Sequence, residues 1–199
     1  MYMEGMRNVE ISGILMRNSP MYHILIDDSK GFWIHDMEIY VDVWGQMTLD
    51  KLFGVGPQAS IPVPTFPLNT DGIDPSASDV LIENVTITNY DDAVAVKPGH
   101  NDKKISKCAE NMVIRNCTVN FGVGMTIGSV PPRDSYSCVR NITFDNITFH
   151  HPIKAIYVKT NPGNTTSMLP GSGGEITSIV YSNILIHFPI WWNIYIGPQ

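Results

Sequence analysis

The chain has 199 residues, of which 43% are hydrophobic and 16% charged, and its net charge at pH 7 is −6. This composition is typical of a folded protein and excludes a disordered one. The negative charge and the lack of a Lys/Arg-rich stripe in the sequence argue against a nucleic-acid partner. No apolar run in the sequence approaches the roughly 20 residues of a membrane span.

Five segments share an alternation of hydrophobic and polar residues around a central Asp or Asn. They are FWIHDMEIYV from Phe32, VLIENVTIT from Val80, MVIRNCTV from Met112, ITFDNITF from Ile142 and IVYSNILI from Ile179. A second set of short strands alternates with them: HILID after Tyr22, AVAVK after Asp92, MTIGS after Gly124, AIYVK after Lys154 and NIYIG after Trp192. The period of two and the β-branched residues favour strands over helices.

The central Asn residues recur at steps of 32, 30 and 37 residues, from Asn84 to Asn183. One repeat of two strands per step fits one coil of a β-solenoid. A β-sandwich would use Asn-Gly or Asp-Gly hairpin turns, which are missing between most of the strands. We therefore predict an all-β chain, a parallel β-helix that forms one domain over residues 1–199.

Two segments interrupt the repeat. Residues 43–68 contain GVGP and IPVP, which predict a long inserted loop and a candidate wall of a substrate cleft. Residues 98–107, PGHNDKKISK, predict a short basic loop. The chain also starts inside a repeat, without signal-peptide character, and stops directly after a strand. We therefore expect a helix that is incomplete at both ends.

The sequence leaves open which asparagines are glycosylated and which cysteines pair. Sequons occur at Asn84, Asn116, Asn141, Asn146 and Asn164. For the first four, a structural repeat of Asn and Thr is favoured over glycosylation, whereas the fifth, in a Gly/Pro-flanked loop, is the better acceptor. The three cysteines permit one internal bridge at most, and a pairing of Cys108 with Cys117 is one possibility.

Three acidic residues carry the chemical interpretation. Asp71 in NTDGID precedes Asp92 by 21 residues, about one coil, and Asp91 lies beside Asp92. Coil stacking predicts that the three carboxyls cluster, which raises at least one pKa. A protonated and an ionised carboxyl together are what glycosidic hydrolysis requires. The plainer alternative is that Asp71 and Asp74 cap a turn while Asp91 and Asp92 begin a strand.

The segments NTDGID, DDAVAVK, GVGMTIGS and AIYVKT resemble, in order, the four signature blocks of glycoside hydrolase family 28, the polygalacturonases and rhamnogalacturonases. The resemblance implies a right-handed β-helix and inverting hydrolysis of a pectic polysaccharide. It implies that Asp91 is the general acid and that Asp71 and Asp92 position and activate water. We further expect a secreted monomer without metal or cofactor.

The resemblance also implies substrate-binding residues. Lys159 would hold a substrate carboxylate, and Tyr157, Lys97 and Asn69 are further candidates. Lys97 aligns with Lys159 two coils away, so both are predicted to point at one groove; a solvated surface lysine is the alternative. Trp191 and Trp192 could stack on sugar rings, or one of them could pack inward.

Two departures from the family pattern weaken polygalacturonate as the substrate. Val123 replaces the histidine of G-H-G, and Tyr157 replaces the arginine of R-I-K, which removes a bidentate carboxylate clamp. His150 and His151 are candidates to replace the missing histidine, and Tyr157 could offer a hydroxyl or a stacking face. Two alternatives stay open: a Ca²⁺-dependent polysaccharide lyase on the same fold, and a non-catalytic polysaccharide-binding protein.

Overall fold

The computed structural model describes residues 1–42, 69–100, 102–130, 136–161 and 173–198, and every regular element in these ranges is a strand. The strands are β1 (Tyr2–Glu4), β2 (Arg7–Ser12), β3 (Leu15–Arg17), β4 (Ile24–Tyr40), β5 (Ile73–Thr88), β6 (Asp92–Val96), β7 (Gly99–His100), β8 (Ala109–Asn120), β9 (Gly124–Val130), β10 (Tyr136–His150), β11 (Lys154–Thr160), β12 (Gly173–His187) and β13 (Trp192–Pro198). None of the described residues forms a helix long and apolar enough to cross a membrane. The predicted loop over 43–68 lies outside the described residues.

The strands stack in parallel along the chain. β4, β5, β8, β10 and β12 pair in that order, β6, β9, β11 and β13 form a second series, and β5 joins the two through Ile73 and Val94. Each strand therefore pairs with its equivalent in the next repeat, and the predicted parallel β-helix is confirmed. The short β7 pairs antiparallel with β10.

Each coil carries four strand segments, for example 124–130, 136–140, 142–145 and 147–150, so the prediction of two strands per repeat is wrong. The long strands bend twice at residues with positive φ. The second bend falls on the central residues of the sequence repeat, Asp36, Asn84, Asn116, Asn146 and Asn183, with φ between 50° and 55°. Asn and Asp tolerate this left-handed conformation better than other residues with a side chain. The alternation continues through the bend, which is why two strands look like one in the sequence.

Segments 2–4, 24–27, 73–76, 92–96, 124–130, 154–160 and 192–198 form what we call the first sheet. Its inward residues include Ile24, Ile73, Val94 and Met125, all with 0% exposure. Their registered pairing builds a continuous apolar core. The core fixes this sheet, and with it the side chains on its outer face.

Asn side chains at the bends bond to each other along the helix. Asn84 donates its Nδ2–H to Asp36 (3.1 Å), and Asn146 donates to Asn116 (2.9 Å). At the other bend Asn141 donates to Asn111 (2.8 Å). These ladders support the structural interpretation of the sequons in the repeats. Asn164 lies outside the described residues.

Replacing Asn146 tests the ladder. Asn146→Ala should lower the free energy of unfolding by about 2 kcal/mol, because Ala disfavours positive φ by about 1–2 kcal/mol and a hydrogen bond of about 1 kcal/mol is lost. Asn146→Gly keeps the backbone conformation available and should cost less. Urea unfolding monitored by circular dichroism measures both. Equal losses in the two variants would show that the backbone conformation is not what the asparagine supplies.

The basic loop predicted at 98–107 is tied to the helix. The Asp28 carboxylate accepts hydrogen bonds from the backbone N–H groups of Lys104 (3.1 Å), Ile105 (2.7 Å) and Ser106 (2.9 Å). Burial raises the pKa of Asp28, but these three hydrogen bonds outweigh it and leave the pKa below its ordinary value. Lys103 lies 2.6 Å from Asp27. The segment therefore contacts the coil of β4.

The cysteine pairing considered from the sequence is wrong. Cys108 bridges to Cys138, which lies at the start of β10 opposite Gly99. Cys117 is free and buried, and it points into the core opposite Ile147. Cys108 directly precedes β8, and the bends at Asn111 and Asn116 lie between it and Cys117, which a spacing count cannot show.

Candidate active site

Three carboxyls meet on the outer face of the first sheet. Asp71 lies two residues before β5. Asp91 directly precedes β6, the next strand of this sheet, and Asp92 is its first residue. The Gly72 N–H donates to the Asp92 carbonyl at 2.9 Å, which fixes the two turns side by side. Oxygens from Asp71, Asp91 and Asp92 all lie within 4.8 Å of one another. The predicted clustering is confirmed.

Asp92 is fully buried and bonded at both oxygens. Thr126 in β9 donates its hydroxyl to Oδ1 at 2.6 Å, and the Lys159 ammonium in β11 lies 2.6 Å from Oδ2. Lys159 itself is 7% exposed. The structure thus places this lysine against a carboxylate of the cluster. Its predicted contact with substrate stays a prediction.

Lys97 bridges two other carboxyls. Its ammonium lies 3.6 Å from Asp71 and 3.4 Å from Asp74, which is 1% exposed. Val96 pairs with Ile127 and Ile127 with Val158, so Lys97 and Lys159 hold equivalent positions two strands apart, as predicted. Lys97 is therefore more than a solvated surface lysine. Asp74, interpreted from the sequence only as a possible turn cap, is a buried member of this site.

Burial and neighbouring charges shift the pKa values of Asp71, Asp74, Asp91 and Lys97. Burial, and then the charges of Asp71 and Asp92, raise the pKa of Asp91 to about 7. Burial and Asp92 also raise the pKa of Asp71, and burial raises that of Asp74 well above its ordinary value. Burial lowers the pKa of Lys97, but the surrounding carboxylates outweigh it and raise the pKa overall. Asp91 can therefore hold a proton near neutral pH.

Two tyrosines flank the carboxyls. Tyr157 is 4% exposed, and its ring centroid lies 3.8 Å from the Lys154 ammonium and 5.1 Å from that of Lys159. A sugar could stack on this ring only if a lysine moved. On the other side, burial and the charge of Asp71 raise the pKa of Tyr22. Sequence reasoning missed Tyr22, although its place in the coil before Asp71 was a signal.

The remaining candidates lie around this centre. Asn69 is exposed, two residues before Asp71. Val123 contacts Asp91 through its backbone, by donating its N–H to the Asp91 carbonyl at 2.8 Å. Trp191 and Trp192 are 63% and 45% exposed, so the alternative of inward packing is wrong.

His150 and His151 pack along the helix axis. His150 stacks on His187 with 5.1 Å between ring centroids, and His151 stacks on Phe188 at 5.4 Å. Both histidines line a cavity of about 590 Å³ that also includes Phe121. That either of them replaces the family histidine stays a prediction.

The carboxyl cluster could in geometric terms hold a metal ion, since three carboxylate oxygens converge. The ammonium groups of Lys97 and Lys159 already neutralise Asp71 and Asp92. This reduces the charge that would attract a divalent cation. The arrangement suits proton transfer better than calcium-assisted elimination.

Comparisons with known proteins identify similar chains. The chain is 31% identical to the probable endo-xylogalacturonan hydrolase A of Aspergillus flavus over 81% of its length, and 29% identical to the endopolygalacturonase A of Aspergillus niger over 92%. The chain spans 34% and 40% of these two relatives. The structure of endopolygalacturonase I from Stereum purpureum superposes with a TM-score of 0.70 at 18% identity, over 97% of this chain and 47% of that one.

The superposition shows a shared fold, and the predicted right-handed parallel β-helix is confirmed. The model of "Glycosyl hydrolases family 28" matches residues 1–191, nearly the whole chain, as the four sequence blocks predict. The chain therefore belongs to glycosyl hydrolase family 28.

Proposed function

We propose that this chain carries the catalytic centre of a glycosidase that hydrolyses a pectic polysaccharide. The observation that supports the proposal most is the three-carboxyl cluster, in which the pKa of Asp91 is raised to about 7 while Asp71 and Asp92 contact lysines. A glycosidase needs one proton donor and one ionised carboxylate on the same substrate bond. This cluster offers both.

In this proposal Asp91 is the general acid, which protonates the oxygen of the leaving sugar. Asp71 accepts a proton from the attacking water, since its Oδ1 is buried and has no hydrogen-bond partner among the described residues. Asp92 orients the centre, because both of its oxygens are bonded to Thr126 and Lys159. Bound in this way, Asp92 is poorly placed to attack a sugar carbon itself.

We propose inversion at the anomeric carbon, the outcome that the family resemblance implies. Inverting enzymes leave roughly 6.5–9.5 Å between their two carboxyl groups, and retaining enzymes about 5–5.5 Å. Here one oxygen from each of the three carboxyls lies within 4.8 Å of the other two. Because the spacing alone falls closer to retention, the stereochemistry of the product is an informative test.

The substrate we propose is an acidic pectic chain. The named relatives act on xylogalacturonan and polygalacturonan, and several lysines accompany the carboxyls of this chain. Tyr157 in place of the clamp arginine favours a substrate other than plain polygalacturonate. We also propose that the protein is a secreted monomer.

The test is product analysis on polygalacturonate, xylogalacturonan and rhamnogalacturonan. We expect new reducing ends from at least one polymer, and proton NMR at early times should show the inverted anomer. An unsaturated product that absorbs in the ultraviolet would instead identify a lyase. Binding of a polymer without release of reducing ends would favour the non-catalytic alternative, which Val123 and Tyr157 support.

A further inference from the structure

Lys154, at the start of β11, lies among aromatic rings. Its ammonium is 3.8 Å from the ring centroid of Tyr157, 4.9 Å from that of Tyr195 and 5.6 Å from that of Trp191. Cation–π attraction of this kind holds a lysine head in place and partly removes it from water. We call Lys154 and these three rings the Lys154 cage.

The acidic groups that act on Lys154, Asp92 and Asp91, lie beyond ion-pair distance. Among the residues that the structure describes, no carboxylate lies within 4 Å of its ammonium, whereas Lys30, Lys97, Lys103 and Lys159 each have one. Burial and the neighbouring Lys159 lower the pKa of Lys154, and the charges of Asp92 and Asp91 offset this only in part. A second charge of the same sign and partial loss of water both favour the arrival of an anion.

The Lys154 cage lies on the same sheet as the catalytic carboxyls. β6 pairs with β9 and β9 with β11, so Lys154 is two strands from Asp91 along the helix axis. At about 4.8 Å per strand this separation is roughly 10 Å. A polysaccharide laid along the outer face of the first sheet, with the bond to be cleaved at Asp91, would pass the cage within the next few sugar units.

We propose that the Lys154 cage is a subsite for the carboxylate of a uronosyl unit, beside the bond on which Asp91 acts. The inference rests on the proposed function and names the substrate group that the cage recognises. The Tyr157 ring supports a lysine three positions earlier in the chain. A preorganised ammonium also loses little freedom when the anion binds.

Binding measurements on the full chain test the proposal. The Asp91→Asn background prevents hydrolysis, and the ligands are an oligogalacturonate and the same oligomer with its carboxyls methyl-esterified. Titration calorimetry should show that Lys154→Met weakens binding of the acid about tenfold or more and changes binding of the neutral ester by less than twofold. Lys154→Arg should keep most of the affinity for the acid.

Lys30→Met is the matched control, because Lys30 pairs with Asp79 in another part of the helix and should leave both affinities unchanged. Thermal unfolding of each variant confirms that the fold is kept. Equal loss for acid and ester, or no loss for either, would overturn the carboxylate subsite while hydrolysis by the parent chain stands. If the parent releases no reducing ends and binds neither oligomer, the result contradicts the proposed function itself. The subsite proposal, which rests on that function, is then contradicted as well.

Discussion

The Asp91→Asn variant is expected to lose hydrolytic activity and, at pH 8, to become more stable than the parent chain. Asparagine cannot donate a proton to a leaving oxygen, and a positioned general acid contributes typically 10²–10⁴-fold to the rate. Reducing-end release should therefore fall by at least about 10²-fold. The gain in stability arises because asparagine removes a charge that the folded site disfavours.

The sign of the stability change follows from the raised pKa of Asp91. An unfolded aspartate titrates near about 3.9, whereas burial and the neighbouring Asp71 and Asp92 raise the folded pKa to about 7. Between these values the folded state binds more protons, so parent stability decreases as pH rises from about 4 to about 7. Asp91→Asn removes this loss, which is on the order of 1–4 kcal/mol.

Urea unfolding of the parent and of Asp91→Asn at pH 4 and pH 8 measures the effect. The two free energies of unfolding should differ at pH 8. Asp145→Asn is the control, because the pKa of Asp145 is lowered where that of Asp91 is raised. Hydrogen bonds from Ser182 and Asn183 cause the lowering. Removing the Asp145 charge should therefore not stabilise the chain, and activity should persist. A parent that becomes more stable from pH 4 to pH 7, by an amount that Asp91→Asn removes, would contradict the assignment.

Lys159→Met is expected to cost about 3–5 kcal/mol of unfolding free energy and to abolish activity. The substitution leaves Asp92, which has 0% exposure, without the ammonium 2.6 Å away. Breaking a buried ion pair by removing one partner is costly, because the remaining charge is buried and uncompensated. Chemical denaturation at pH 7 measures the loss. A cost below about 1 kcal/mol would show that Lys159 is not what compensates Asp92.

A double variant separates the charge from the packing. Asp92→Asn combined with Lys159→Met removes both charges, so it should recover most of the lost stability while staying inactive. Thr126→Val is a milder comparison, since it removes only the neutral hydroxyl that donates to Asp92. If the double variant is as unstable as Lys159→Met alone, the lysine stem, not the ion pair, supports the fold.

The sequence predicted the coils and the carboxyl cluster because both depend on spacing. Registered coils place residues one repeat apart side by side, and the Asp71 to Asp92 interval followed this rule. The sequence did not predict that each coil has four strand segments, because the alternation continues through the bends at Asn84 and Asn146. Nor did it predict the bridge between Cys108 and Cys138, which depends on where a loop returns.

Side-chain contacts within the site could be predicted only in part. The equivalence of Lys97 and Lys159 follows from register, but their carboxylate partners do not. A lysine stem is long, and whether its head reaches Asp74, Asp92 or solvent depends on packing. The same holds for Lys154, whose contacts with aromatic rings come from β11 and β13 together.

The contacts of Asp27 and Asp28 have a consequence for how the molecule opens. In a solenoid each coil contacts only its neighbours, so unfolding can proceed coil by coil. Here residues 103–106, which follow β6, bind Asp27 and Asp28 in β4 and so reach past the coil of β5. The coil that carries Asp71 is thus held between two that are fastened to each other. The amides of these three coils should exchange with solvent as one cooperative unit, and the carboxyls of Asp71 and Asp91 should separate only when all three coils open.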